Sequence, residues 1–335
     1  DQHPNTKINR FVVGTDQNKI WRIDLSGPDK GSSIKVNVTE DVKVPGSLMS
    51  GIRSIRYSAS GKYLYTGTVE GLVRANNDSS RINKKRENII AIFAVKVDEI
   101  ITIDRAGLIE YYQNNGIIST VNAGNQITAV AYSARRNQIV MNGANGELLE
   151  FDIKTNDKKI EFSRRILNLG ILKSPVTALQ VIDSKNWLAL GTRDGDIIFY
   201  DDINNKMIYE DNNEHFAAVN CLAWDEEKQL LVSGGMDNLI NVWQLKEISS
   251  QLDLARKDYK PIAFKELQPI QDIHFTNSNW FLTVSRGNGD ENIDRNASGR
   301  VSIWSIDIGL LGKRLGELKG SWSIPDFDSK YYKYI

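Results

Sequence analysis

Residues 219–246 read VNCLAWDEEKQLLVSGGMDNLINVWQLK, and His215 stands just upstream. Two readings compete. Cys221, His215 and Asp237 could form a nucleophile with its base and orienting carboxylate. Alternatively, the stretch is one unit of a repeated scaffold, and its polar residues hold the unit together. Recurrence elsewhere in the chain separates the two, so internal repeats are sought before single motifs.

The pattern does recur. Related units are INRFVVGTDQNKIWRIDL (8–25), IRSIRYSASGKYLYTGTVEGLVRAN (52–76) and IIAIFAVKVDEIITIDRAGLIEYY (89–112). Further units are ITAVAYSARRNQIVMNGANGELLEFD (127–152), VTALQVIDSKNWLALGTRDGDIIFYD (176–201) and a last one from 270 to 307. Each complete unit is an apolar strand, a polar turn, a second apolar strand, a tight turn and a third strand. Short runs of Val, Ile and aromatics separated by Gly, Asp and Asn are the signature of an all-β chain. Weaker strand candidates follow the triplets at 32–38, 116–122, 159–165, 206–211 and 261–267. They read as a fourth, outer strand, which faces solvent and needs less apolar character.

These units resemble the WD-repeat β-propeller family, most closely over 215–246; their starts at 52, 89, 127, 176, 219 and 270 bracket its period of about 40–45 residues, with the longer intervals leaving room for loop insertions. The resemblance implies an all-β, seven-bladed β-propeller of four-stranded antiparallel blades. The blades are expected near 8–38, 52–83, 89–122, 127–165, 176–211, 215–267 and 270–324, as a single domain over 1–335. The first unit lacks a convincing inner strand, and KYYKYI (330–335) is expected to supply it, so that 326–335 closes the ring; the competing explanation is a strand upstream of Asp1 in a longer parent chain.

The family pattern also implies a structural tetrad of His215, Ser233, Asp237 and Trp243, a hydrogen-bonded network that locks the sixth blade. In the other units the aspartate position holds Asp194, Asn145, Glu70 or Ala106. The tryptophan position holds Tyr200, Phe151, Tyr112, Asn76 or Trp304. No upstream histidine accompanies them, so these blades are expected to rely on apolar packing more than on polar locks. The catalytic reading of Cys221 is set aside, because the cysteine falls inside an apolar strand.

Function in such a scaffold sits on its loops. The resemblance places the turns between second and third strands on one face with the loops that lead into each first strand. Leu48, Met49, Ile171, Leu172 and Phe216 have no evident core role there, and Arg105, Arg193 and Met236 lie in the tight turns. Apolar residues ringed by arginines suit a protein interface, so the expected partner is a protein or peptide. WD-repeat proteins in general look like non-catalytic scaffolds or regulatory modules. The competing classes are an enzyme using the central pocket, for which convergent His, Arg or carboxylate residues near the axis are missing from the sequence pattern, and a phosphoinositide or nucleic-acid binder acting through RINKKRE (81–87).

Bulk properties bound these choices. The 335 residues are 41% apolar and 25% charged, with 42 basic and 42 acidic side chains, so nothing global favours nucleic acid or an anionic membrane. No apolar run approaches the ~20 residues that span a bilayer. The single cysteine excludes an internal disulfide and fits a reducing compartment, so an intracellular, cytoplasmic setting is expected. The three histidines lack metal-ligand spacing. GNGDENIDRN (287–296) misses the glycine and glutamate of a calcium loop. No metal, cofactor or small-molecule substrate is expected. KEISSQLDLARKDY (246–259) breaks the strand pattern and suggests one or two inserted helical turns. The chain opens on Asp rather than Met and reads as a processed product or a piece of a longer protein.

Overall fold

The computed structural model describes residues 10–15, 19–26, 35–43, 51–75, 80–81, 88–124, 126–143, 147–166, 172, 174–211, 214–245, 261–276, 280–285, 299–308 and 314–324. Among them the secondary structure is entirely β, as seven antiparallel sheets. The first holds β1 (Arg10–Gly14), β2 (Lys19–Ser26) and β3 (Lys35–Lys43). The second holds β4 (Ile52–Tyr57), β5 (Leu64–Thr68), β6 (Gly71–Ala75) and β7 (Ser80–Arg81). The third holds β8 (Ile89–Lys96), β9 (Glu99–Asp104), β10 (Leu108–Gln113) and β11 (Gly116–Asn122). The fourth holds β12 (Val130–Ser133), β13 (Gln138–Asn142), β14 (Leu148–Lys154) and β15 (Lys159–Ile166). The fifth holds β16 (Val176–Ile182), β17 (Trp187–Thr192), β18 (Ile197–Asp201) and β19 (Lys206–Asp211). The sixth holds β20 (Val219–Asp225), β21 (Leu230–Gly235), β22 (Leu239–Gln244) and β23 (Ile262–Lys265). The seventh holds β24 (Ile270–Phe275), β25 (Trp280–Ser285), β26 (Gly299–Ile308) and β27 (Arg314–Ile324).

Every strand pairs with its sequence neighbour, so each sheet is a meander. The hairpins close through residues that tolerate positive φ. Asn137, Asn186 and Gln229 end the turns between first and second strands at φ 52, 54 and 54°. Lys158 and Asn205 do the same between third and fourth strands, at 53 and 54°. Asparagine visits this left-handed region more readily than most residues, which accounts for the asparagines at these turns.

The middle strands are buried on both faces. WLALGT of β17 and LLVSGG of β21 are buried at every residue. Alternate residues of a strand point to opposite sides, and here each side meets another sheet. On β18, Ile197 and Phe199 enter a cluster shared with Leu231 and Trp243 of the sixth sheet, while Ile198 and Tyr200 pack with Val140 and Leu148 of the fourth. The same division runs round the molecule in seven apolar clusters, one at each junction between successive sheets. The last junction joins Phe11, Ile23 and Leu25 of the first sheet to Leu282, Val301 and Ile303 of the seventh, so the ring closes through side-chain packing. The ring of His274 on β24 also meets Phe11 edge-on, with centroids 5.7 Å apart.

Two further devices repeat at the junctions. A glycine near the end of a second strand receives the first residue of the next inner strand. A Cβ added at Gly67, Gly191 or Gly234 would lie 2.5 Å from a methyl of Ile89, Val219 or Ile270, and Gly14 stands in the same relation to Ile52. Polar residues on the inner side tie neighbouring sheets together. Thr128 Oγ1 donates to the Val176 carbonyl (2.7 Å), Thr177 Oγ1 to Val219 (2.6 Å), and Asn220 Nδ2 to Ile270 (2.7 Å).

The structure revises some strand limits. The first outer strand runs Lys35–Lys43 rather than 32–38, and β23 ends at Lys265, which leaves Leu267 in a loop. In the second sheet Gly67 pairs with Leu72, one residue sooner than Gly234 pairs with Ile240 in the sixth. Ala75, not Asn76, therefore occupies the tryptophan position. The expected closing segment 326–335, the acidic loop 287–296, the insertion 246–259 and residues 82–87 of the basic run lie outside the described residues.

Gly234→Ala should destabilise by roughly 1–3 kcal/mol, because overpacking a filled junction forces the Ile270 backbone to move. Gly116→Ala, where the nearest atom to the new Cβ is 3.6 Å away, should leave the melting temperature within about a degree. Thermal melts of the two variants check this.

Candidate functional site

The polar cluster of the sixth sheet forms around a buried imidazole. His215 is 1% exposed and sits where the chain enters β20. Its Nδ1 lies 3.0 and 3.1 Å from the two carboxylate oxygens of Asp237, in the turn between β21 and β22. Its Nε2 lies 2.9 Å from Ser233 Oγ on β21. Trp243 Nε1–H on β22 donates to the same Oγ at 3.4 Å. The carboxylate accepts backbone N–H bonds as well, from Phe216 (2.8 Å) and Leu239 (3.0 Å).

An ionised carboxylate only accepts, so Nδ1 carries the proton and Nε2 accepts from the Ser233 hydroxyl. The chain of donors then runs Trp243 to Ser233 to His215 to Asp237. Burial raises the Asp237 carboxyl, but the hydrogen bonds from His215, Phe216 and Leu239 outweigh it and hold Asp237 below the ordinary carboxylate range.

This order of Ser, His and Asp matches that of a hydrolase, but its surroundings differ. Ser233 is 0% exposed, and its hydroxyl is enclosed between His215 and Trp243. A nucleophile needs a carbonyl within reach, and none can enter. Cys221 stands apart, in the cluster between the sixth and seventh sheets, with Sγ 3.8 Å from the Gly234 carbonyl. Burial, with the charge of Asp272, pushes its thiol well above the usual value.

The other sheets carry polar locks after all, built from different residues. Glu266 precedes Ile270 by the four positions that separate His215 from Val219. It accepts from Thr283 Oγ1 at 3.4 Å, and Thr283 accepts from Trp304 Nε1 at 3.0 Å. In the fifth sheet Ser174 Oγ accepts from Asp194 N–H (3.1 Å) and Thr192 Oγ1 bonds Asp196 (2.9 Å). In the fourth, Asn142 Oδ1 accepts from the N–H groups of Thr128 and Ala129, and in the third Asp104 accepts from Leu108 N–H. These sheets therefore add polar turn bonds to the apolar packing expected to dominate them, since an unpaired turn is costly wherever it is buried.

Charged and polar residues also lie on the inner strands. Arg56 on β4 donates Nε–H to the Ile92 carbonyl at 3.2 Å, and burial depresses its guanidinium against the opposing charge of Asp272 on β24. Burial, with positive charge nearby that includes Arg56, pushes His274 down to about 3, so its imidazole is neutral at pH 7. A cavity of about 400 Å³ opens among the turns between first and second strands, lined by Tyr132, Arg135, Gln180, Asp183, Trp224 and Glu226. Several of its polar side chains are already engaged: Arg135 donates to the Asp183 backbone carbonyl and Trp224 Nε1 to the Glu226 carboxylate. Among the described residues no group of His, Cys, Asp or Glu is placed to hold a metal ion, and no helix is long and apolar enough to cross a membrane.

The candidate binding residues group at the other ends of the strands. Arg105, Arg193 and Met236 occupy equivalent places, each donating its N–H to the carbonyl just before an inner strand, at Asn88, Pro175 and Ala218. Around the sixth sheet the loops touch in series. Gly195, beside Arg193, abuts the carbonyls of His215 and Ala217. Phe216 N–H reaches Asp237, and Asn238 Nδ2 donates to the Leu267 carbonyl at 3.4 Å. Phe216, Met236 and Leu267 are 81, 39 and 63% exposed. Leu267 carries no signal of its own in the sequence, because PIAFKEL reads as one strand, whereas β23 ends at Lys265. Leu172 is half-buried against the cluster of the fourth and fifth sheets, so it has a packing role. Leu48, Met49 and Ile171 lie outside the described residues.

The comparisons with known proteins agree with this architecture. Residues 208–244 match the family model described as WD domain, G-beta repeat. The WD40 β-propeller domain of Doa1 superposes with a TM-score of 0.62 at 13% identity, covering 82% of this chain and 86% of that one. The C-terminal WD40 domain of Sif2 gives 0.61 at 13%, covering 91% and 80%. The chain has the WD-repeat β-propeller fold and carries the family's repeat in its sixth sheet. Among curated proteins it is 21% identical over 184 residues to Actin-interacting protein 1-2 of Arabidopsis thaliana, which is 53% of this chain and 28% of the relative. It is 28% identical over 121 residues to Cilia- and flagella-associated protein 337 B of Tetrahymena thermophila, which is 36% of this chain and 9% of that relative. The matches thus span less than a third of either relative's length.

Asp237→Asn should cost roughly 1–3 kcal/mol at pH 7 and flatten the acid limb of stability. A carboxyl depressed in the folded state stabilises fully above its unfolded value near 3.8, and that contribution is lost as pH falls through the lower folded value. Denaturant titrations from pH 7 to pH 2 should show a smaller slope below about pH 4 in the variant. Cys221 in the native protein should resist a neutral-pH thiol reagent for hours and react at once in denaturant.

Proposed function

We propose that this chain is a non-catalytic protein-interaction module that takes a protein or peptide partner on the arc of loops through Arg193, Phe216, Met236 and Leu267. The observation that carries the reading is the gathering of three exposed large apolar side chains on loops that touch in series around one rigid turn. Exposed apolar groups beside charged Arg193 and Asp194 suit a patch that excludes water at its centre and stays polar at its rim. The Asp237 network supports this role by fixing the loop backbones on either side of the patch, which lowers the ordering cost of binding.

The WD-repeat fold and the partial likeness to a protein named for interacting with actin support a protein partner in general rather than actin in particular. Catalysis is disfavoured by the enclosure of Ser233 and Cys221. The lone buried thiol supports a reducing, intracellular setting.

Partners recovered by affinity capture of the intact chain supply the test. The triple change Phe216→Asp, Met236→Asp and Leu267→Asp should weaken a purified partner at least a hundredfold, with the melting temperature within a few degrees of the parent. A partner that binds the variant with unchanged affinity would overturn this placement.

A further inference from the structure

The exposed large apolar side chains fall into two groups and one outlier. Phe216, Met236 and Leu267 form the first group. Val97 (64%), Ile117 (45%) and Ile118 (38%) form the second, at the rim of the third sheet, and Ile203 stands alone. Ile117 and Ile118 lie on β11, the outer strand of that sheet. The turn that carries Val97 is joined to the turn opening β11 by the Asn114 N–H to Asp98 carbonyl bond at 3.2 Å.

The sequence of β11, GIISTVN, contains no charged residue. Each of the other outer strands has at least one: KVNVTEDVK, SR, KIEFSRRI, KMIYED, IAFK and RLGELKGSWSI. Charges on an edge strand guard it against added strands, so six of the seven sheets are guarded by composition and the third is not. One flank of β11 is fixed, since Ser119 Oγ accepts from Ile160 N–H at 3.2 Å and Val121 packs into the junction with the fourth sheet. Its outer edge has no paired strand among the described residues.

We propose that β11 is a docking edge for an extended, uncharged peptide segment of a partner, which adds to the third sheet as a further strand. Backbone hydrogen bonds would supply affinity, and β-branched or apolar residues on the ligand's two faces would meet the exposed apolar side chains of β11 and its rim. The lack of charge on the strand selects against charged ligands, which would lose solvation with no compensating partner. A second copy of this chain fits less well. Seven residues span roughly 23 Å, and one such strand pair buries well below the ~1,200 Å² of a stable protein interface. A flexible segment can pair along the whole strand and still reach Val97. This inference is independent of the loop-face reading, because the two sites lie on different sheets and use different residues.

The probe is a fluorescent seven-residue peptide of alternating Val and Thr, with a peptide of alternating Lys and Thr as control. The expected results are saturable binding of the first peptide only, and slowed amide exchange concentrated at 116–122. Affinity should fall at least tenfold in Ile117→Lys/Ile118→Lys with an unchanged melting temperature. Thr120→Lys, a second exposed position on the strand, should weaken binding in the same way. The proposal is overturned by no binding at millimolar peptide, by equal binding of the lysine peptide, by unchanged affinity in the variants, or by protection elsewhere. It is also overturned by a dimer in sedimentation that the double change abolishes, which would assign the edge to a second copy.

Discussion

The structure depends on the face-to-face packing of each sheet between two others. A lone four-stranded sheet with both faces apolar cannot remain in water, and here neither face is left to it. The junctions are also specific. At four junctions the β-branched residue that opens an inner strand needs a glycine opposite, as Ile270 needs Gly234 and Val219 needs Gly191. The hydroxyls of Thr128 and Thr177 and the amide of Asn220 then reach across to the next sheet's first carbonyl. Apolar area draws the sheets together, and the glycine sockets and polar bridges set their register.

The conserved geometry of the junctions leaves the turns free to differ. A buried turn must satisfy its N–H groups, and the sheets reach that end with Asp237, Glu266, Asn142, Asp104 or the Ser174 and Thr192 hydroxyls. The His215 network is the most extended of these locks, and it ties the loop that presents Phe216 to the turn that presents Met236. Under the proposed function, rigidity beneath an exposed apolar patch would link packing to recognition.

Much of this was legible in the sequence because strands buried on both faces read as unbroken apolar runs, and seven such pairs were visible between turns of Gly, Asn and Asp. The tetrad residues were legible because His215, Ser233, Asp237 and Trp243 keep the family spacing, and the structure brings all four into one network. The register of the second sheet was not, since its tight turn is one residue shorter and moves Ala75 into the place assigned to Asn76. Glu266 was missed because an acid at a histidine position gives no motif signal. Leu267 was hidden at the end of an apolar run whose last residues leave the strand. The inter-sheet bridges were invisible for a simpler reason: a Thr or Asn in a strand looks like a solvent-facing residue until its neighbour is known.

The central claim is that the ring is one cooperative unit, closed by packing of the seventh sheet on the first. Native-state amide exchange on an Ile303→Ala variant tests it most directly, because Ile303 is fully buried at that closing junction. The account predicts that protection falls by the same factor at β25 and β26 as at β17 on the far side of the ring. Loss of protection confined to the first and seventh sheets, with β17 unchanged, would contradict it.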